Sequence, residues 1–159
     1  MRVLTGLLAL VLAGCASSST EPLCVFRVPS DWSPWRELLG ASISYELDDG
    51  RTLDGKVTRV AFFPATEIGI RAKGESEVVT LSFDEARDRL TNVEYSREYE
   101  WSRYLGKYVP LQGAECLVTA VSLEPDRTAI VMTELGAERE FRAVTAEALM
   151  ASIRDRDRD

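Results

Sequence analysis

The side chains that could do chemistry in this 159-residue chain are carboxylates, three lysines and three cysteines, with no histidine among them. Asp48, Asp49 and Asp54 gather around a turn, and Asp84, Glu85 and Asp88 fall within one helical turn. The first set has the composition of a cation site, but its spacing departs from the D-x-[DN]-x-[DN]-G calcium loop. Aspartate is also favoured in hairpin turns because it hydrogen-bonds nearby backbone, so turn chemistry is the preferred reading. The second set could supply paired carboxylates for glycoside cleavage, which needs two carboxyl groups facing each other across a cleft. Within one turn they serve a helix start better, by dipole and cap.

The missing histidine removes the commonest general base and the commonest metal ligand together. Ser-His-Asp and Cys-His machinery and histidine-containing zinc sites go with it. Lys56, Lys73 and Lys107 leave a Ser-Lys dyad conceivable, but no spacing supports one. The expectation is no catalytic residue, no metal site and no cofactor. Net charge is −7, a surplus that repels nucleic-acid phosphates and anionic headgroups, so nucleic acid is not expected as a partner.

Aromatic rings are the remaining candidates. Trp32 and Trp35 flank Ser-Pro in the run DWSPW. Tyr95, Tyr99, Trp101, Tyr104 and Tyr108 crowd a later segment, interleaved with Arg97, Glu98, Glu100 and Arg103. In one reading they form a binding surface for a glycan or protein partner, with Tyr99, Trp101, Trp32 and Trp35 as the contact residues. In the other, preferred because large core residues are few, they are mortar between two small halves.

The elements that must position these groups are mostly strands. Ile43, Tyr45 and Leu47 alternate with Ser44 and Glu46, and Asp48-Asp49-Gly50 turns the chain. A strand around Leu53 follows, with Asp54-Gly55 as a bulge or second turn. Val57 to Phe63 is a longer strand ended by Pro64. Ile68 and Ile70 alternate, Lys73-Gly74-Glu75 turns, and Val79, Leu81 and Phe83 alternate again. Ser82-Phe-Asp-Glu85 has the capping-box form and predicts a short helix over Ala86 to Leu90.

The second half repeats the plan. Leu39-Gly40 parallels Leu105-Gly106, and the stretch from Val57 to Pro64 parallels that from Val118 to Pro125. Gln112-Gly113 makes the shorter hairpin. Thr145 can cap a longer C-terminal helix with an apolar face from Ala146, Ala148, Leu149 and Ile153. A five-strand unit ending in a helical turn resembles SH3-like or Sm-like small barrels. The implied fold class is mainly β: two tandem SH3-like antiparallel barrel repeats with short helical turns and a C-terminal helix.

The N-terminus carries the strongest signal. Arg2 is a short positive region, and Val3 to Ala13 is eleven residues without a charge, short of the roughly 20 a bilayer span needs. Leu12-Ala13-Gly14-Cys15 resembles the lipobox of bacterial lipoproteins. The resemblance implies a diacylglyceryl group on the Cys15 thiol, signal peptidase II cleavage between Gly14 and Cys15, and often a further acyl chain such as palmitate on the new amine. At about 0.8 kcal/mol per buried methylene, two or three chains hold permanently. Ala16, in place of the aspartate that retains many such proteins in the inner membrane, implies an outer-membrane address facing the periplasm. Removing Arg2 with the signal peptide leaves 18 basic residues against 26 acidic, near −8.

In that oxidising compartment Cys24 and Cys116 invite a disulfide, closing a loop of about ninety residues and contributing on the order of 4–5 kcal/mol. The alternative is two separately buried thiols. The domain plan expected is a signal peptide at 1–14, lipidated cysteine, tether and entry segment at 15–37, the first repeat at 38–94, the aromatic connection and first strand of the second repeat at 95–112, the rest of that repeat and its helix at 113–153, and a charged tail at 154–159. The function expected is a non-enzymatic, lipid-anchored periplasmic binding or scaffold module, with the membrane and an envelope protein or glycan as partners. The alternatives are a cell-wall-acting enzyme or regulator and an accessory lipoprotein of an envelope assembly or secretion complex.

Overall fold

Alternation decides the first strand: Ile43 and Tyr45 point inward and are buried, while Ser42 and Glu46 face out. The computed structural model describes residues 33–135 and 138–156. Within them a short helix α1 (Ser33–Arg36) precedes β1 (Ser42–Glu46), β2 (Thr52–Ala61), β3 (Glu67–Ala72), β4 (Val78–Ser82), helix α2 (Phe83–Arg89) and β5 (Leu90–Glu94). A 3-10 helix over Glu100–Tyr104 leads to β6 (Tyr108–Leu111), β7 (Ala114–Ser122), β8 (Thr128–Leu135), β9 (Glu138–Thr145) and helix α3 (Ala146–Arg156).

All nine strands join one curled antiparallel sheet, half a barrel, with path β4-β3-β2-β7-β8-β9; β1 pairs with β2 and β5, and β6 pairs with β7. One hydrophobic core runs through both halves, from Ile43 and Ile70 to Val131 and Leu149. The two halves therefore share one sheet and one core. A unit of some fifty residues is marginal for burying its own core, and merging through β2 and β7 resolves that.

Several sequence landmarks fall where expected. Ser82 and Glu85 make both hydrogen bonds of the capping box. The Ala148 amide donates to Thr145 Oγ1 at 3.1 Å, capping α3. Gln112 and Gly113 both have positive φ, 52° and 80°, which is the two-residue turn that suits strand twist. Asp54-Gly55 differs: it makes no turn but lies inside the ten-residue β2, paired across to Ser44 and Ile43. The helix α3 also extends into the expected tail, to Arg156.

Gly40 and Gly106 play the same part in each half. Both have positive φ, 80° and 74°, and their amides donate to Val57 and Val118 carbonyls at 2.8 Å. Tyr99 packs directly over Gly40, so a Cβ there would overlap the ring. Gly40→Ala should therefore destabilise the protein by about 2–4 kcal/mol, from left-handed strain plus overpacking. Urea denaturation of the variant beside wild type checks this; a loss under a few tenths of a kcal/mol would show that the Tyr99–Gly40 packing is dispensable.

Candidate functional site

Strands β5, β1, β2 and β3 bury one face and leave the other to solvent, and the register assembles what that outer face offers. Glu94, Ser42, Lys56 and Arg71 stand across one row, and Asn92, Ser44 and Asp54 across the next. Because side chains alternate with period two, both rows point the same way. Together with the Lys73-Gly74-Glu75 turn they enclose an open groove of about 820 Å³.

The groove is built of small hydroxyls, two ammonium groups and several carboxylates. Ser44 Oγ donates to Asp54 Oδ1 at 2.8 Å on its floor. One end is closed by Arg71, whose Nε donates to both Glu124 oxygens at 2.8 and 2.9 Å and whose Nη2 also reaches Oε2. The remaining arm of Arg71 donates to the Ser76 carbonyl. This pair ties β3 to the segment after β7, and so ties the first half to the second. The Arg71 hydrogen bond holds the Glu124 carboxyl below the ordinary glutamate range, against a smaller opposing desolvation, with weaker help from the charges of Arg71 and Lys56. Lys56 Nζ donates to the Tyr99 hydroxyl at 3.2 Å and lies 5.3 Å from the centre of its ring.

The rings that one reading offered as a contact surface are buried or half-buried where the structure describes them. Trp101 is 6% exposed and Tyr99 8%, both within the core. Gly40 leaves the space Tyr99 fills, and the cations Lys56 and Arg127 flank its ring. Trp35 is half-buried and stacks on Phe83, centroids 4.2 Å apart. These side chains are mortar, the other reading of the segment. Trp32, Cys24, Gly14 and Cys15 lie outside the described residues. Cys116 is a free, buried thiol with its Sγ 3.2 Å from Thr133 Oγ1, so the structure carries no bridge from it to Cys24.

The acidic candidates have local partners. Asp49 accepts from the Arg51 amide and side chain, and Asp48 from Arg89. Asp84 is 87% exposed and pairs with Arg87, while Glu85 caps α2. Among the described residues no three Cys, Asp or Glu side chains gather in a metal-holding cluster, and no helix is long and apolar enough to cross a membrane. Sequence reasoning singled out Asp54, Lys56 and Lys73 but not the groove that they line together. The exposed hydroxyl row Ser42 and Ser44 was legible in the alternation of β1, but Arg71 and Glu124 are brought together only by the sheet path.

Compared with family models, curated proteins and solved structures, the chain matches none.

A carboxyl with a depressed folded-state pKa contributes stability that is present above its unfolded value, about 4.3 for glutamate, and is lost as pH falls through the lower folded value. Glu124 is such a group. Between neutral pH and pH 3, Glu124→Gln should therefore lose less thermal stability than wild type. Melting temperatures of the two proteins across that range measure this; parallel curves would show that the Arg71 pair contributes nothing to the acid limb.

Proposed function

We propose that this chain is an envelope lipoprotein, anchored through lipid on Cys15 at the outer membrane and facing the periplasm, whose folded part is a non-enzymatic binding module. The observation that carries the binding reading is the open polar groove over β5, β1 and β2. Its volume is within the usual range for ligand sites. Its floor offers alternating donors and acceptors, and among the described residues no aromatic ring is part of its lining. A sugar face is held well by stacking on a ring, so the polar main chain of an envelope protein suits this groove better than a glycan. The anchor reading rests on the lipobox and the uncharged run before it.

The two-barrel reading is retained here in a finer form. The first half has strand order β5-β1-β2-β3-β4, in which the last strand returns to the first; this supports an SH3-like unit. The second half follows the same plan with helix α3 in place of a fifth strand. The cell-wall enzyme alternative gains nothing from Asp84 and Glu85, whose carboxylates serve α2.

Two experiments test the proposal. Cys15→Ser should leave the precursor uncleaved and unlabelled by palmitate in a bacterial host, whereas normal processing of that variant would overturn the anchor. A photocrosslinking residue at position 44 should capture a discrete envelope protein, while one at position 140, on the far edge of the sheet, should not. Identical products from both positions, or none from position 44, would remove the groove as the binding site.

A further inference from the structure

The acidic balance of the chain makes any gathering of cations conspicuous, and one exists beside the groove. A second concavity of about 590 Å³ lies between α1, the segment after β5, and the 3-10 helix. Arg36, Arg97, Arg103 and Lys107 line it, against Glu37 and Glu100. The excess there is two positive charges in a protein whose net charge is −7. The described residues place no carboxylate in an ion pair with any of the four cations.

The fold gathers them for a local reason. Ser102 Oγ donates to the Arg36 carbonyl at 3.0 Å, which clamps the 3-10 helix against α1. Arg103 and Lys107 then flank Tyr104, 5.2 and 5.8 Å from its ring centre. Arg36 is half-buried at the wall of the cleft, and its Nε has no hydrogen-bond partner among the described residues. Burial also pulls the Arg36 guanidinium below its ordinary value, and a bound anion would oppose that.

We infer that this cleft is an oxyanion site that takes a phosphate group, held by Arg36, Arg97, Arg103 and Lys107. Three of the four cations are guanidinium groups, whose planar fork matches phosphate oxygens and stays charged at any working pH. A doubly charged phosphate profits more than a singly charged carboxylate from four cations that have no carboxylate ion pair among the described residues. The phosphate could belong to a free ion or to a lipid headgroup, and the two differ in being a monoester-like dianion or a diester.

The test is calorimetric titration of the full chain in neutral detergent at constant chloride, with three probes: inorganic phosphate, glycerophosphoglycerol and acetate. Saturable binding of phosphate, of the diester or of both is expected, and which of them binds identifies the source. Arg103→Gln/Lys107→Gln, both exposed positions, should weaken it at least tenfold with an unchanged circular dichroism spectrum. Arg97→Gln should weaken it in the same direction, which guards against a folding defect in the double variant. Lys73→Gln, in the neighbouring groove, should leave it unaltered. No saturable binding of either phosphate probe, tighter binding of acetate, or equal affinity in the cleft variants and wild type would overturn the assignment.

Discussion

The antiparallel pairing of β2 with β7 is the contact on which the rest of the molecule depends. Val60 faces Val121, with Arg59 opposite Ser122 and Ala61 opposite Ala120. The flanking bonds mirror each other: the Phe62 amide donates to the Thr119 carbonyl at 3.0 Å, and the Leu123 amide to the Thr58 carbonyl at 2.7 Å. Thr58 and Thr119, Val60 and Val121, and Phe62 and Leu123 are equivalent residues of the two halves, so each half binds the other through the same residues. That is the logic of a two-fold interface, enclosed within one chain. Strand β7 is buried on both faces from Cys116 to Val121, which accounts for its nearly continuous apolar run, whereas β2 is interrupted by the half-exposed Arg59.

The curl of the sheet follows from two irregularities placed by the same symmetry. The β2–β3 register slips between Val57 and Arg59, and the β7–β8 register between Val118 and Ala120. The residue passed over is a buried threonine in each case. Thr58 Oγ1 donates to the Gly69 carbonyl at 3.5 Å, and Thr119 Oγ1 to the Ile130 carbonyl at 3.1 Å. A bulge increases local twist and bends its strand. Two bulges at matched positions bend the sheet toward the core from both sides, which is what lets a nine-stranded sheet enclose a single apolar interior.

How much of this was legible depended on whether the determinant was local. Period-two strands, the Ser82–Glu85 box, the Thr145 cap and the Gln112-Gly113 turn are each set by neighbours within a few residues, and the sequence shows them directly. The paired landmarks at Gly40 and Gly106 showed that the halves repeat. What they did not show is that the copies fuse, because a β2–β7 pair is a contact between residues some sixty positions apart. Asp54-Gly55 misleads for a related reason. Its turn-like composition is overridden by β1 on one side and β3 on the other. The charged neighbours of Tyr99 and Trp101 kept an exposed reading open beside the preferred buried one; the space left by Gly40 explains why the Tyr99 ring turns inward.

The groove exists because the two halves differ where their edges are finished. Strand β5 covers the free edge of β1 and continues the sheet, adding Asn92 and Glu94 to the outer polar face. The matching edge of β6 is finished by helix α3, whose Ser152 Oγ bonds the Pro110 carbonyl and whose Leu149 and Ile153 enter the core. A strand extends a face that ligands can lie on, whereas a helix caps it. The corners between the halves diverge in the same sense. At one, Glu124 grips Arg71; at the equivalent one, Phe63 stacks on Phe141 at 5.6 Å with Arg139 over its ring. One copy of the plan is therefore finished in polar side chains and open, the other in apolar side chains and closed. The shared core comes from the repeat, and the surface available to a partner comes from the departures from it.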